Sequence, residues 1–69
     1  MKFGWNDLDE IAIALAEEHP GQDPLKVRFT DLLDWTLALD GFTGKREESN
    51  ESKLEAIQMA WLEEYKDAQ

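Results

Sequence analysis

The sequence predicts a mainly α fold, a small three-helix domain with one short extended segment. Three observations predict it. Apolar residues recur at helical spacing in three separate stretches. Capping residues, or Gly and Pro, mark the ends of those stretches. Between the first two stretches, Asp23 to Trp35 (DPLKVRFTDLLDW) holds two helix starts a few residues apart. The chain between those starts has room only for a turn of helix and a short extended piece. At 69 residues, the chain has the length of one domain, 1–69.

The first helix is expected from about Asp7 to His19. Leu8, Ile11, Ala12 and Leu15 fall at i, i+3, i+4 and i+7, which is one helical face. Asn6 or Asp7 caps it; if Asp7 does, Glu10 completes a capping box. His19-Pro20-Gly21 ends it, since Pro restricts the residue before it and Gly frees the turn. Glu17 and Glu18 stand near the C-terminus, where they oppose the helix dipole. That local cost points to a separate reason for keeping those charges.

Asp23 with Pro24 is a helix-start signal, a capping carboxylate followed by a residue suited to the first helical position. Lys26 to Phe29 forms the extended segment. Thr30 and Asp31 are the second start, a capping hydroxyl followed by an acid in the first turn. The second main helix then runs from about Asp31 to Asp40. Leu32, Trp35, Thr36 and Leu39 form its stripe, and Leu33 and Leu37 widen it, so it meets both other helices. Gly41 is its stop, and Phe42 is placed to pack back on the last turn.

Gly44 to Ser49 has no apolar residue and reads as an exposed, mobile loop carrying the adjacent basic pair Lys45-Arg46. The third helix starts between Ser49 and Ser52 and runs to about Lys66. Ser52 with Glu55 fits a capping box; Ser49 or Asn50 would cap it earlier. Leu54, Ile57, Trp61 and Tyr65 share a face, joined by Leu62. Residues 67–69 are expected to fray. The expected core is Leu8, Ile11, Leu15, Val27, Phe29, Leu32, Trp35, Leu39, Leu54, Ile57 and Trp61. Trp5 is expected to pack over the end of the first helix.

Charge narrows the function. Sixteen acids face seven bases, for a net charge of −9. Such a surface repels nucleic acid and anionic lipid and attracts basic proteins and hard cations. That charge argues against reading Trp5, Trp35 and Trp61 as a base-stacking platform. There is no Cys, hence no disulfide, thiolate metal site or cysteine nucleophile. No apolar run approaches the ~20 residues that span a bilayer, and the first residues lack the apolar core of a signal peptide. A cytoplasmic protein is expected.

Chemistry is not indicated. His19, the one histidine, sits beside Pro20 at a helix end, as a surface or capping residue does. The glycines are scattered and form no phosphate loop. Carboxylate pairs are plentiful, among them Asp7 with Glu10, Asp31 with Asp34 and Glu51 with Glu55. Their spacing places each pair on one helix face, but none comes with a His and none matches an EF-hand. Weak, exposed cation binding is the expectation from spacing.

The residues resemble a known family. Trp5, Asp7 and Glu10-Ile11 at the start match it. So do Asp23-Pro24, then Val27-Arg28-Phe29-Thr30-Asp31 and Trp35, then Ser49-Asn50-Glu51, Leu54-Glu55-Ala56-Ile57 and Trp61-Leu62. In this order they resemble the IscX (YfhJ) family of small acidic proteins of bacterial iron–sulfur cluster assembly. The resemblance implies a fold like a modified winged helix that does not bind DNA, and no catalytic activity. It implies binding to the pathway's cysteine desulfurase, on a basic surface shared with frataxin and ferredoxin. It also implies weak ferrous-iron binding through surface carboxylates.

The expected partner-binding residues are therefore Glu17, Asp23, Asp31 and Asp34, with Arg28 either tying down a local carboxylate or marking the edge of the surface. The expected weak iron ligands are Glu10, Asp31 and Asp34. An adaptor or regulator of the desulfurase, monomeric and non-enzymatic, is the leading expectation; a ferrous-iron donor is the alternative. In one region the chain departs from the family. Where members often carry an acidic run, residues 40–48 read Asp40-Gly41-Phe42-Thr43-Gly44-Lys45-Arg46-Glu47-Glu48, with acids diluted and opposed by two bases.

Overall fold

α1 (Leu8–Glu18), α2 (Phe29–Leu37) and α3 (Glu51–Asp67) make up most of a computed structural model that describes residues 1–68. Two single turns of tighter helix, Pro24–Lys26 and Arg46–Glu48, punctuate the connections. The described residues contain no strand, only an isolated parallel bridge between Phe3 and Phe42. The protein is thus the mainly helical three-helix domain that the apolar periodicity predicts.

α3 lies chiefly along α1, and α2 closes over the pair. Ile11 and Leu15 from α1, Leu32 from α2, and Ile57 and Trp61 from α3 are essentially sealed from solvent. Val27, Leu39 and Leu54 are buried beside them. Leu8, Phe29 and Trp35 are half-buried and pack on the outside of that cluster rather than within it. Phe3, Trp5, Ala12 and Leu62, which the expected core left out, are also buried. Thr36 is fully buried, and its hydroxyl donates to the Leu32 carbonyl at 2.8 Å, so the polar atom costs little inside the core.

Several boundaries differ from the sequence expectation. α2 starts at Phe29, with Arg28 rather than Thr30 in the capping position and no side-chain cap. Beginning earlier adds Phe29, half-buried against the core, to the face of Leu32, Leu33 and Thr36, and that packing stands in place of a hydroxyl cap worth about 1 kcal/mol. The extended piece shrinks to Val27 and Arg28, because Lys26 belongs to the preceding turn. That turn does start as expected: Asp23 Oδ1 accepts from the Leu25 N–H at 3.0 Å, with Pro24 behind it. α2 also ends early, at Leu37. A turn then brings the Leu39 N–H to the Thr36 carbonyl (3.1 Å), and Leu39 is buried.

The caps of α1 and α3 divide similarly. Asp7 occupies the α1 cap position, but its carboxylate accepts from the Gly4 N–H at 2.8 Å, so the capping box with Glu10 does not form. Asn50 caps α3 by accepting from the Lys53 N–H at 2.8 Å, not Ser52. α3 remains helical through Asp67, beyond the expected fraying point; Gln69 lies outside the described residues.

The N-terminus and the segment after α2 close on each other. The Phe3 N–H donates to the Gly41 carbonyl at 3.0 Å, and the Thr43 N–H donates to the Phe3 carbonyl at 2.8 Å. Phe42 turns to this seam instead of packing back on α2, meeting Phe3 and Trp5 edge-on at 5.7 and 5.0 Å. Trp5 is buried and lines a hollow with Leu8 at the start of α1. Its ring rests on Phe42, and its indole N–H donates to the Lys45 carbonyl at 3.0 Å.

The stretch expected to be mobile, Gly44–Ser49, is exposed from Lys45 to Glu48, with Gly44 and Ser49 half-buried, and is held by hydrogen bonds. The Lys45 N–H donates to Glu48 Oε1 at 2.9 Å, and Lys53 Nζ donates to the Glu48 carbonyl at 2.8 Å. Arg46 reaches across to Asp34 at 2.6 Å.

Candidate functional site

The surface carries the charge openly. Among the described residues, Arg46–Asp34 is the one ion pair within 4 Å, and both its side chains are more than half exposed. An exposed pair of this kind contributes little to stability. All sixteen acids lie within the described residues, and fifteen of them have no cationic partner in the fold.

Some of those carboxylates are occupied with the backbone. Asp7, Asp23 and Glu48 accept N–H groups from Gly4, Leu25 and Lys45. Others gather around a groove. One hollow of about 220 Å³ lies between α1 and the turn after α2, walled by Glu10, Glu17, Glu18 and Asp40 and floored by Phe3, Ile13, Ala14 and Leu39. A second, about 280 Å³, continues past Glu18, Leu39 and Asp40 to Ala38, His19 and Trp35. His19 occupies the C-cap position of α1, as expected, its backbone N–H donating to the Leu15 carbonyl at 2.9 Å, and it is half-buried. Its ring stacks on Trp35, with centroids 4.0 Å apart and planes 13° from parallel.

The fold divides the expected site residues. Glu10 and Glu17 share the first hollow. Asp23, Arg28, Asp31 and Asp34 line neither hollow. Asp31 and Asp34 are exposed on α2, Asp34 bound to Arg46, while Arg28 is exposed at the helix start. Glu10, Asp31 and Asp34 are not brought together as a ligand set. No group of three or more acidic or His side chains among the described residues is placed to hold a metal ion.

Glu18 and Asp40 border the groove without having stood among the expected site residues. A signal for Glu18 is its unfavourable place at a helix C-terminus. Asp40 opens the 40–48 stretch where family members often carry an acidic run, but its place in one hollow with Glu18 follows only from the turn that ends α2. Among the described residues, no helix is long and apolar enough to cross a membrane.

Comparison with known proteins agrees with the residue pattern. The model of the family described as iron-sulphur cluster assembly matches residues 3–66. The chain is also similar to the uncharacterized protein PA3808 of Pseudomonas aeruginosa, with 47% identity over 64 residues, covering 93% of this chain and 97% of that protein. A match spanning all three helices, with the Asp23–Trp35 stretch inside it, shows that the chain belongs to the iron-sulphur cluster assembly family, that of IscX (YfhJ), and that its role lies in cluster assembly.

Proposed function

We propose that the protein is a non-enzymatic adaptor that docks on the cysteine desulfurase of cluster assembly and regulates sulfur delivery. The observation that carries this reading is the unneutralised surface: a net charge of −9, with one carboxylate in an ion pair among the described residues. A fold that leaves its acids unpaired is suited to a basic partner, since charges on a rim steer association and are screened by salt. The reading puts the protein in the cytoplasm as a monomer, competing with frataxin and ferredoxin for a basic surface.

Binding of the full chain to the desulfurase is expected to weaken about tenfold or more when salt rises from about 50 to about 300 mM. Frataxin is expected to displace the chain. Calorimetry across the salt series checks this; binding indifferent to salt, or none at low salt, rejects the adaptor.

A second reading, ferrous-iron donation, draws on the four carboxylates that border the groove. Carboxylate oxygen suits ferrous iron, yet the acids do not converge on one point. Anaerobic ferrous titration followed by NMR is expected to give diffuse broadening only at high iron. Saturable shifts at a few acidic residues near micromolar iron would favour the donor role instead.

A further inference from the structure

We infer that the partner is gripped in the groove between the C-terminal half of α1 and the turn after α2, by a short basic segment that carries an apolar side chain. This deepens the adaptor reading and rests on it for the identity of the partner.

The apolar floor exposes chiefly one side chain: Ile13 is 42% exposed, whereas Ile11 on the same helix is fully buried, and Phe3 and Leu39 beneath the groove are buried too. The walls are four carboxylates, and no Lys or Arg lines either hollow. No side-chain hydrogen bond or ion pair among the described residues occupies Glu10, Glu17, Glu18 or Asp40, in contrast to Asp7, Asp23, Asp34 and Glu48.

The helix ends add to the field. α1 and α2 both terminate beside this groove, and neither has a basic residue in its last turn. Their C-terminal carbonyls therefore present partial negative charge with no cation to offset it. Glu17 and Glu18 add two carboxylates to the last turn of α1, where an outside cation is favoured. At the far end, Trp35 backed by His19 offers an aromatic wall beside Glu18 and Asp40, where a guanidinium or ammonium meets both a ring and a carboxylate. The dispersed carboxylates fit no single metal ion, and the charge repels nucleic acid. A basic peptide segment complements walls and floor together.

The test titrates the labelled full chain with a short lysine–leucine peptide and follows it by NMR. The largest shifts are expected at Glu17, Glu18, Asp40 and the Trp35 indole. Glu17→Lys combined with Glu18→Lys is expected to weaken peptide binding about tenfold, and Asp31→Lys with Asp34→Lys about twofold. Ile13→Ser, which leaves the charge unchanged, is expected to weaken it about threefold. The Glu17→Lys, Glu18→Lys variant should melt no lower than the parent, because lysine suits a helix C-terminus, so its lost binding is not lost folding. Shifts spread evenly over the acids or centred on Asp31 and Asp34, or equal losses in the two paired variants, overturn the groove.

The same variants against the desulfurase separate the two claims. If the desulfurase binds the parent and the groove variant alike, the groove is wrong and the adaptor stands. If it does not bind the parent, the adaptor fails, and the peptide titration still decides the groove.

Discussion

Truncating Trp61 to alanine is expected to remove between about a third and all of the protein's stability at 25 °C. Trp61 is 1% exposed and lies on α3, the helix that packs along α1. Its ring meets Trp35 edge-on at 6.2 Å, and His19 lies at the same distance on the other helix end. Removing such a side chain costs about 3–5 kcal/mol, the lost transfer free energy plus the cavity left behind. At ~0.05–0.15 kcal/mol per residue, a chain this short has only about 3–10 kcal/mol in total. With a urea dependence of about 1 kcal/mol per molar, the unfolding midpoint should fall by roughly 3 M or disappear. Met59→Ala, on the same helix but at a half-exposed position, should change stability by less than about 0.5 kcal/mol. Circular dichroism in urea checks both; a midpoint shift under about 1 M for Trp61→Ala would mean that the α1–α3 seam does not hold the fold.

Gly44→Ala is expected to cost about 2–4 kcal/mol, although Gly44 lies in a polar, surface-following segment. A methyl group there would stand 2.6 Å from Trp5 Nε1 and 2.7 Å from both Trp5 Cδ1 and Phe42 Cζ. Both rings are held, Trp5 by Phe42 and by its bond to the Lys45 carbonyl. Overpacking a filled site costs ~1–3 kcal/mol, and losing the indole bond adds about 1 kcal/mol. The Trp5 indole N–H should exchange faster with solvent, and Trp5→Leu should recover part of the loss by making room. Gly41 faces a related constraint: its φ is +88°, and a side chain would meet the Met1 carbonyl oxygen. Unchanged urea stability in Gly44→Ala would show that the N-terminal seam is loose.

Both predictions concern contacts of different legibility. Trp61 was readable as core, because Leu54, Ile57 and Trp61 recur at helical spacing and burial follows that phase. The Gly44 constraint was not readable. It arises from Trp5, which lies about forty residues away, and no local pattern records such a neighbour. The same distinction explains Thr30. It has the chemistry of a cap, but the helix starts two residues earlier and packs Phe29 against the core. A cap worth about 1 kcal/mol yields to apolar burial of larger size.

The candidate site shows the same split. Glu17 and Glu18 were conspicuous in the sequence, because acids oppose a helix C-terminus. Asp31, in the first turn of α2 where the dipole favours an acid, and Asp34 were expected to meet the partner alongside Glu17. The fold sets them apart from Glu17, by pairing Asp34 with Arg46 and by placing Glu17 in one hollow with Glu18 and Asp40.

The sequence by itself determined the three helices, the acidic surface and the family. Periodicity, capping chemistry and charge are properties of short stretches of chain, and the family is written in residues that can be read in order. Only the tertiary structure decided which carboxylates share a groove, which are already occupied, and that the N-terminus closes on the segment after α2. Those depend on how α1, α2 and α3 settle around Ile11, Leu15, Leu32, Ile57 and Trp61. Packing between distant segments is fixed by the burial of the whole core rather than by the preference of any one stretch.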